Sequence, residues 1–196
     1  MAASSRSRVF IVIGVVLVLA LAFAGARFMN VPQAESRALN AWEEVQRQFL
    51  MRAYLTQDVI DAVRTVNPTR TDLIDALEAR RQQIIAAPLD DAAPRSQESF
   101  HAYLAKQEAL SAELVRVLDM LQFFPELRIV PPVSTVLGRL AQSESRIVVA
   151  RSDYVRAADA YNRMVTNIPT RWFAGLVEPD ALPLVTNFDT PEAAGS

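Results

Sequence analysis

From residue 34 onward, apolar residues return every three or four positions, broken at intervals by proline. The first such stretch, residues 34–65, carries Leu39, Trp42, Val45, Phe49, Ala53, Ile60 and Val63. That spacing lines one face of a helix and predicts an amphipathic α-helix. Val31-Pro32 predicts a break just before it, because proline disfavours helical geometry in the residue that precedes it. Asn67-Pro68 predicts its end, and Thr69-x-x-Asp72 has the form of a capping start for the next. A second, short helix is predicted over 70–87 with Leu73, Ile74, Leu77, Ile84 and Ile85 inward. The loop "APLDDAAPRS" follows, with Ser96 as the N-cap of a third helix over 97–123. That helix has Phe100, Leu104, Leu110, Leu114, Val117, Leu118 and Leu121 on one stripe. "FFPELRIVPP" interrupts, and a fourth helix is predicted over 133–168, through Val133, Leu137, Leu140, Ile147, Tyr154, Ala158, Tyr161, Val165 and Ile168.

Strand-like alternation, glycine-rich turns and internal repeats are absent from the sequence, so the pattern predicts an all-α fold. Residues 28–169 are expected to form an antiparallel four-helix bundle, joined by short to moderate loops, with the second helix covering one end. Residues 170–196 make an irregular, proline-punctuated tail. Its Trp172, Phe173, Leu176, Leu182, Leu184 and Phe188 are too apolar for a free segment and predict packing on the bundle or on a partner.

Ahead of the bundle, after the short segment 1–8, Val9 to Ala26 is an unbroken run of apolar and small residues. As a helix it would span roughly 27 Å, close to the hydrocarbon thickness of a bilayer. It reads as a single transmembrane anchor, residues 9–27, in contact with membrane lipid. A cleaved signal peptide is the alternative, with Ala22-Phe23-Ala24 or Ala24-Gly25-Ala26 as the cleavage site. The length of the run favours the anchor. Arg6 and Arg8 precede the span, so the positive-inside rule puts the N-terminus in the cytoplasm and the bundle across the membrane.

Composition narrows the function. Removing Arg6, Arg8 and Arg27 from the 20 basic residues leaves 17 against 22 acidic ones from Phe28 onward, a net charge of about −5. Nucleic acid is a poor partner for such a surface. Cysteine is absent, which removes disulfides, thiolate nucleophiles and iron–sulfur ligation. His101 is the sole histidine and is expected to face solvent near the start of the third helix. With a single histidine the chain cannot supply the two Glu-x-x-His motifs of a carboxylate-bridged di-iron bundle, which is excluded. Asp90-Asp91 is expected to be a solvated pair. Phosphate-loop, dinucleotide and G-x-S-x-G motifs are also missing. The expectation is a non-enzyme without catalytic residues, metal or cofactor.

One stretch is less easily dismissed. On the fourth helix, Glu144 and Arg151 share a face with Leu140, Ile147, Tyr154 and Tyr161, and Asn162 adjoins it. Seven residues apart, Glu144 and Arg151 do not pair along the helix. Arg47 or Arg52 could meet Glu144 from the first helix, and Asp58, Asp61 or Glu113 could meet Arg151. The polar seam Glu144, Arg151, Tyr154, Tyr161 and Asn162 is expected to lock the register of the bundle. The other reading is a sensor or binding module that holds a small ligand or peptide between the helices. Two apolar clusters either cap the bundle end or form contact surfaces for a partner protein or the membrane: Phe123, Phe124, Leu127, Ile129 and Val130 between the last two helices, and Trp172, Phe173 and Leu176 in the tail. Other membrane proteins are the expected partners, and a homo-oligomer is compatible with the same surfaces.

"SESRIVVARSDYVRAADAYNRMVTNIP" resembles the closing segment of LemA proteins, approximately E-x-R-I-x-x-A-R-x-x-Y-N followed by Y-N and a proline. Glu144, Arg146, Ile147, Ala150, Arg151, Tyr154, Tyr161, Asn162 and Pro169 match. "AWEEVQRQFLMRAYLTQDVIDAVR" resembles the first soluble helix of the family through Trp42, Val45 and Gln48, and Leu118 to Leu127 echoes its LLxxxxxYPxL segment. Val155 stands where the family has the first asparagine, and Met51 to Val59 lacks the family's proline. The resemblance implies a bacterial inner-membrane protein tethered by one N-terminal helix, with an antiparallel bundle on the periplasmic side and no established enzymatic chemistry. The anchor, the long helices, the missing site chemistry and the two apolar clusters together suggest an accessory or scaffolding subunit of a larger membrane assembly, for example respiratory, photosynthetic or envelope-building.

Overall fold

The computed structural model describes residues 31–66, 71–87, 89–123, 131–166 and 183–188. The predicted span 9–26 lies outside them. Among the described residues no helix is long and apolar enough to cross a membrane. The described elements are α1 (Val31–Val66), α2 (Thr71–Ile85), a 3-10 turn (Ala93–Arg95), α3 (Gln97–Gln122) and α4 (Pro131–Thr166). The fold is all-α, and the described residues include no strand.

Proline defines the ends less strictly than expected. α1 begins at Val31, a few residues ahead of the predicted start, with Pro32 in its first turn. Likewise α4 begins at Pro131 rather than Val133. The first N–H groups of a helix have no intrahelical acceptor, so proline there forfeits nothing and its fixed φ suits the turn. Ser96 caps α3 as expected, with its hydroxyl accepting from the Ser99 N–H at 3.4 Å. The Thr69 cap lies outside the described residues.

α1 and α4 run antiparallel over their whole length. Trp42 lies beside Tyr154, Arg52 beside Glu144 and Asp58 beside Arg139. Ascending α1 therefore matches descending α4 residue for residue. α2 packs against α1 and α3, and completes an up-down-up-down bundle. Nearly all the stripe residues that the periodicity picks out are buried. They fall into two apolar clusters at opposite ends. One is built around Trp42, Phe49, Phe100, Leu104, Tyr154 and Tyr161. The other is built around Ile60, Ile74, Leu77, Leu110, Leu121 and Leu140.

The first cluster has an aromatic centre. Trp42 is fully buried, and its ring lies 5.1 Å from Phe100, 5.2 Å from Tyr103 and 5.4 Å from Tyr154. Edge and tilted contacts of this kind suit the ring quadrupoles. The indole N–H donates to the Asp90 carbonyl at 2.9 Å, and the Gln46 side chain accepts from the Asp90 N–H at 2.7 Å. The Asp90-Asp91 pair is thus not simply solvated. Its backbone is pinned to α1, while the Asp90 carboxylate closes a turn onto the Ala92 N–H. Arg95, just beyond, pairs with Glu35 at 2.6 Å.

Trp42→Ala is expected to destabilise the protein by about 3–5 kcal/mol, the range for truncating a buried aromatic. Trp42→Phe keeps most of the packing but strands the Asp90 carbonyl, and is expected to lose about 1–2 kcal/mol. Urea unfolding of both variants, followed by circular dichroism, checks the order and the sizes.

Candidate functional site

The boundary between the two apolar clusters is polar. Arg52, on the α1 stripe, is 3% exposed. One terminal nitrogen donates to Ser111 Oγ at 2.9 Å and to Glu144 Oε1 at 3.4 Å. The other donates to the Gln107 carbonyl at 3.1 Å and to Gln107 Oε1 at 3.2 Å. Ser111 itself donates back to the Gln107 carbonyl, and the guanidinium lies 5.1 Å from the Phe49 ring centre. Burial pushes the Arg52 pKa below its ordinary value, and the Glu144 charge partly offsets that shift. Arg52 Nε and Ser143 Oγ are buried without a hydrogen-bond partner among the described residues.

The sequence expectation had these roles reversed. Glu144 was expected to sit in the seam with an arginine reaching it from α1. Arg52 does reach it, but the Glu144 side chain is half exposed and Arg52 is the buried member. On α4, Glu144 stands at the edge of the apolar stripe, where water reaches the carboxylate. Arg52 is enclosed because α3 presents acceptors, Gln107 and Ser111, where a bundle would otherwise present apolar side chains. Those two residues were missed by sequence reasoning. Their only signal is a glutamine and a serine on the α3 stripe between Leu104 and Leu110, and between Leu110 and Leu114.

Arg151 meets the tail. Its guanidinium stacks over the Phe188 ring at 4.3 Å, a cation–π contact. The three acidic residues considered for it have contacts elsewhere: Asp58 with Arg139, Glu113 with Arg116 and Asp61 with Gln57. Asn162 and Tyr154 hold the tail. Asn162 Nδ2 donates to the Leu184 carbonyl at 2.8 Å, while its Oδ1 accepts from the Leu184 N–H at 2.7 Å. The Tyr154 hydroxyl donates to the Val185 carbonyl at 2.5 Å. Tyr161 is fully buried in the same cluster. The tail thus folds back on the bundle over 183–188, with Leu184 buried and Phe188 against Phe100 and Tyr154.

Of the expected contact surfaces, Phe123 is described and is 81% exposed, at the end of α3. Phe124, Leu127, Ile129 and Val130 lie outside the described residues, as do Trp172, Phe173 and Leu176. His101 is half-buried rather than solvent-facing, because its ring packs edge-on against Phe100 at 6.0 Å. Its Nδ1 is buried without a partner among the described residues. Among those residues, no three histidine, aspartate or glutamate side chains gather as a metal would require. A surface groove of about 550 Å³ lies between α1 and α4, lined by Asp58, Asp61, Thr65 and Thr135. A smaller one, about 320 Å³, lies between Glu44, Gln48, Arg146 and Asp153. Neither contains Glu144 or Arg151.

Two predictions follow from this geometry. Glu144→Gln is expected to change stability by less than about 1 kcal/mol, since the carboxylate is half in water. Arg52→Ala leaves the Gln107 and Ser111 acceptors buried and opens a cavity, and is expected to cost about 3 kcal/mol or more. Chemical denaturation of the two single variants separates them. The second prediction concerns alkaline pH. Burial pushes the phenols of Tyr103 and Tyr154 well above their ordinary value, with the nearby Asp159 charge adding to the effect at Tyr154. In the unfolded chain they ionise near 10, while the folded state retains the protons. Their contribution is therefore intact below about pH 10 and is lost as pH rises further, with a slope of roughly 1.4 kcal/mol per pH unit per tyrosine. Unfolding measured from pH 8 to 11 is expected to show the decline, and Tyr103→Phe to reduce its slope.

The residues that carry this geometry coincide with a family pattern. A search of curated proteins finds no match. The LemA family model matches residues 41–193, a span that takes in Trp42, the Arg52 layer, Asn162 and the tail segment held by α4. Matched over most of its length, the chain belongs to the LemA family.

Proposed function

We propose that this LemA-family bundle is a non-catalytic, membrane-tethered protein that works by contact, as an accessory or scaffolding subunit of a larger membrane assembly. In this reading, residues 9–26 span the bilayer with the N-terminus in the cytoplasm, and the bundle stands on the periplasmic side. One observation carries the reading: the polar groups of the seam are engaged in holding the fold. Arg52 is bound by Gln107, Ser111 and Glu144, and Asn162 and Tyr154 are bound to the main chain of the tail. A catalytic or ligand-holding cluster would instead turn such groups towards a cavity.

Two features support contact as the mode of action. α1 and α4 are each 36 residues long, about 54 Å, and so form a rigid post. At the far end from the start of α1, Phe123 presents a large apolar side chain to solvent. The remaining aromatic and aliphatic residues of that connection, Phe124, Leu127 and Ile129, follow it in sequence. Isolated apolar side chains are ordinary, but an aromatic-rich connection at a bundle tip is the composition of a docking surface.

The test is extraction of the full chain from its native membranes in mild detergent, followed by native sizing and identification of co-migrating proteins. A stoichiometric partner protein is expected, and Phe123→Asp is expected to weaken its retention at least tenfold without shifting the melting temperature. A chain that migrates without another protein overturns the proposal. So does a partner whose retention survives both Phe123→Asp and the Trp172→Ala/Phe173→Ala pair.

A further inference from the structure

Residues 183–188 form no regular secondary structure and lie against α4 and the 3-10 turn. Their contacts divide cleanly into a receptor and an occupant. On the receptor side, one Asn162 amide pairs with both the N–H and the carbonyl of Leu184. It does for that residue what a neighbouring β-strand would do. The next residue, Val185, is paired on both groups as well: its N–H donates to the Pro94 carbonyl at 2.7 Å, and its carbonyl accepts from Tyr154. Four hydrogen bonds thus read the main chain of two consecutive residues, with no regard to their side chains. Recognition of an extended peptide elsewhere uses the same division, with main-chain bonds for affinity and side-chain pockets for selection.

The pockets are present too. Leu184 is 3% exposed within the cluster around Trp42. Four residues on, the Phe188 ring lies 5.1 Å from Phe100, 5.9 Å from Tyr154 and under the Arg151 guanidinium. Between them, Asn187 is exposed and Thr186 is half-exposed. The groove therefore selects Leu-Val-x-x-Phe. Every receptor group comes from α4, α3 or the 3-10 turn, whereas the occupant is joined to α4 only through residues 167–182. A connection of that length can extend to at most about 55 Å, enough to cross to an adjacent molecule.

We propose that the groove bounded by Asn162, Tyr154 and Pro94 is a recognition site for a Leu-Val-x-x-Phe segment. The chain's own residues 183–188 fill it in a single copy, and the same residues of a second copy fill it when copies meet. The exchanged and unexchanged contacts are identical, so the choice between them is set by concentration rather than contact energy. Covalent attachment keeps a copy's own segment at an effective concentration on the order of millimolar, and exchange becomes favourable as local copy concentration approaches that value. This site needs no other protein, so it stands or falls separately from the accessory-subunit reading.

The test uses two complementary full chains in mild detergent. One carries Leu184→Asp with Phe188→Ala, which disables the segment and leaves the groove. The other carries Asn162→Ala with Tyr154→Phe, which disables the groove and leaves the segment. Each alone is expected to be monomeric by light scattering at micromolar concentration, and the mixture to form a one-to-one dimer at least tenfold tighter than the unmodified chain's self-association. A fluorescein-labelled peptide of residues 181–190 is titrated into the segment-disabled chain in parallel. Saturable binding that disappears on adding Asn162→Ala supports the site, as does peptide-dependent recovery of cooperative unfolding if that chain is otherwise unstable. Failure of the peptide either to bind or to restore unfolding overturns the recognition site. Peptide binding with no dimer in the mixture overturns the exchange between copies.

Discussion

The structure depends on a mismatch of helix lengths. α1 and α4 have 36 residues each, while α2 has 15. At 1.5 Å per residue, α2 covers about 22 Å beside partners of about 54 Å. A four-helix core cannot close over its full length with one member so short. The end occupied by Ile74, Leu77 and Ile84 is closed by α2 itself. At the other end, the fourth position is filled by irregular chain, with Ala93 and Pro94 of the 3-10 turn and Leu184 of the tail all buried. Irregular chain brings main-chain donors and acceptors that must be satisfied. Trp42, Gln46, Tyr154 and Asn162 are the side chains that satisfy them.

This accounts for the placement of the polar residues on α1 and α4. Trp42 and Gln46 face the Asp90 backbone, and Tyr154 and Asn162 face Leu184 and Val185. These residues sit on apolar stripes because the partners across from them are loop and tail rather than helix. The Arg52 layer is a different arrangement. It separates the two apolar clusters with a guanidinium that is almost wholly desolvated and tied mainly to neutral groups, Gln107 and Ser111, with one half-exposed carboxylate. An interaction of that kind adds little net stability, because the attraction must first offset the loss of hydration. It does penalise any slippage of α1 against α3, since a one-turn shift would leave the guanidinium facing leucine.

The consequence for function is that the chemically rich residues of the closing helix serve the architecture. In the proposed reading, the exposed Phe123 at the bundle tip and the segment held against α4 are the parts that meet other molecules. Under that proposal, the two long helices act as a post between Phe123 at one end and the tail-filled groove at the other.

The four helices of the described bundle, their approximate ends and most of its core were legible in the sequence. A period near 3.6 is imposed by local backbone geometry, and the stripe from Trp42 to Val63 needs no knowledge of what covers it. The Ser96 cap was legible for the same reason, since it acts within one turn. The identity of the polar residues on the seam was also visible, and Arg52 was one of two partners expected for Glu144, but the burial of each was not. Whether Glu144 or Arg52 is the buried member depends on what α3 presents across the core, a contact between residues far apart in sequence. The same holds for Arg151, which meets the ring of Phe188, and for Asn162, which reads the backbone of Leu184. Periodicity reports which face of a helix turns inward; only packing decides what that face meets. Here the answer depended on α2 ending early, so that loop and tail took the place of a helix.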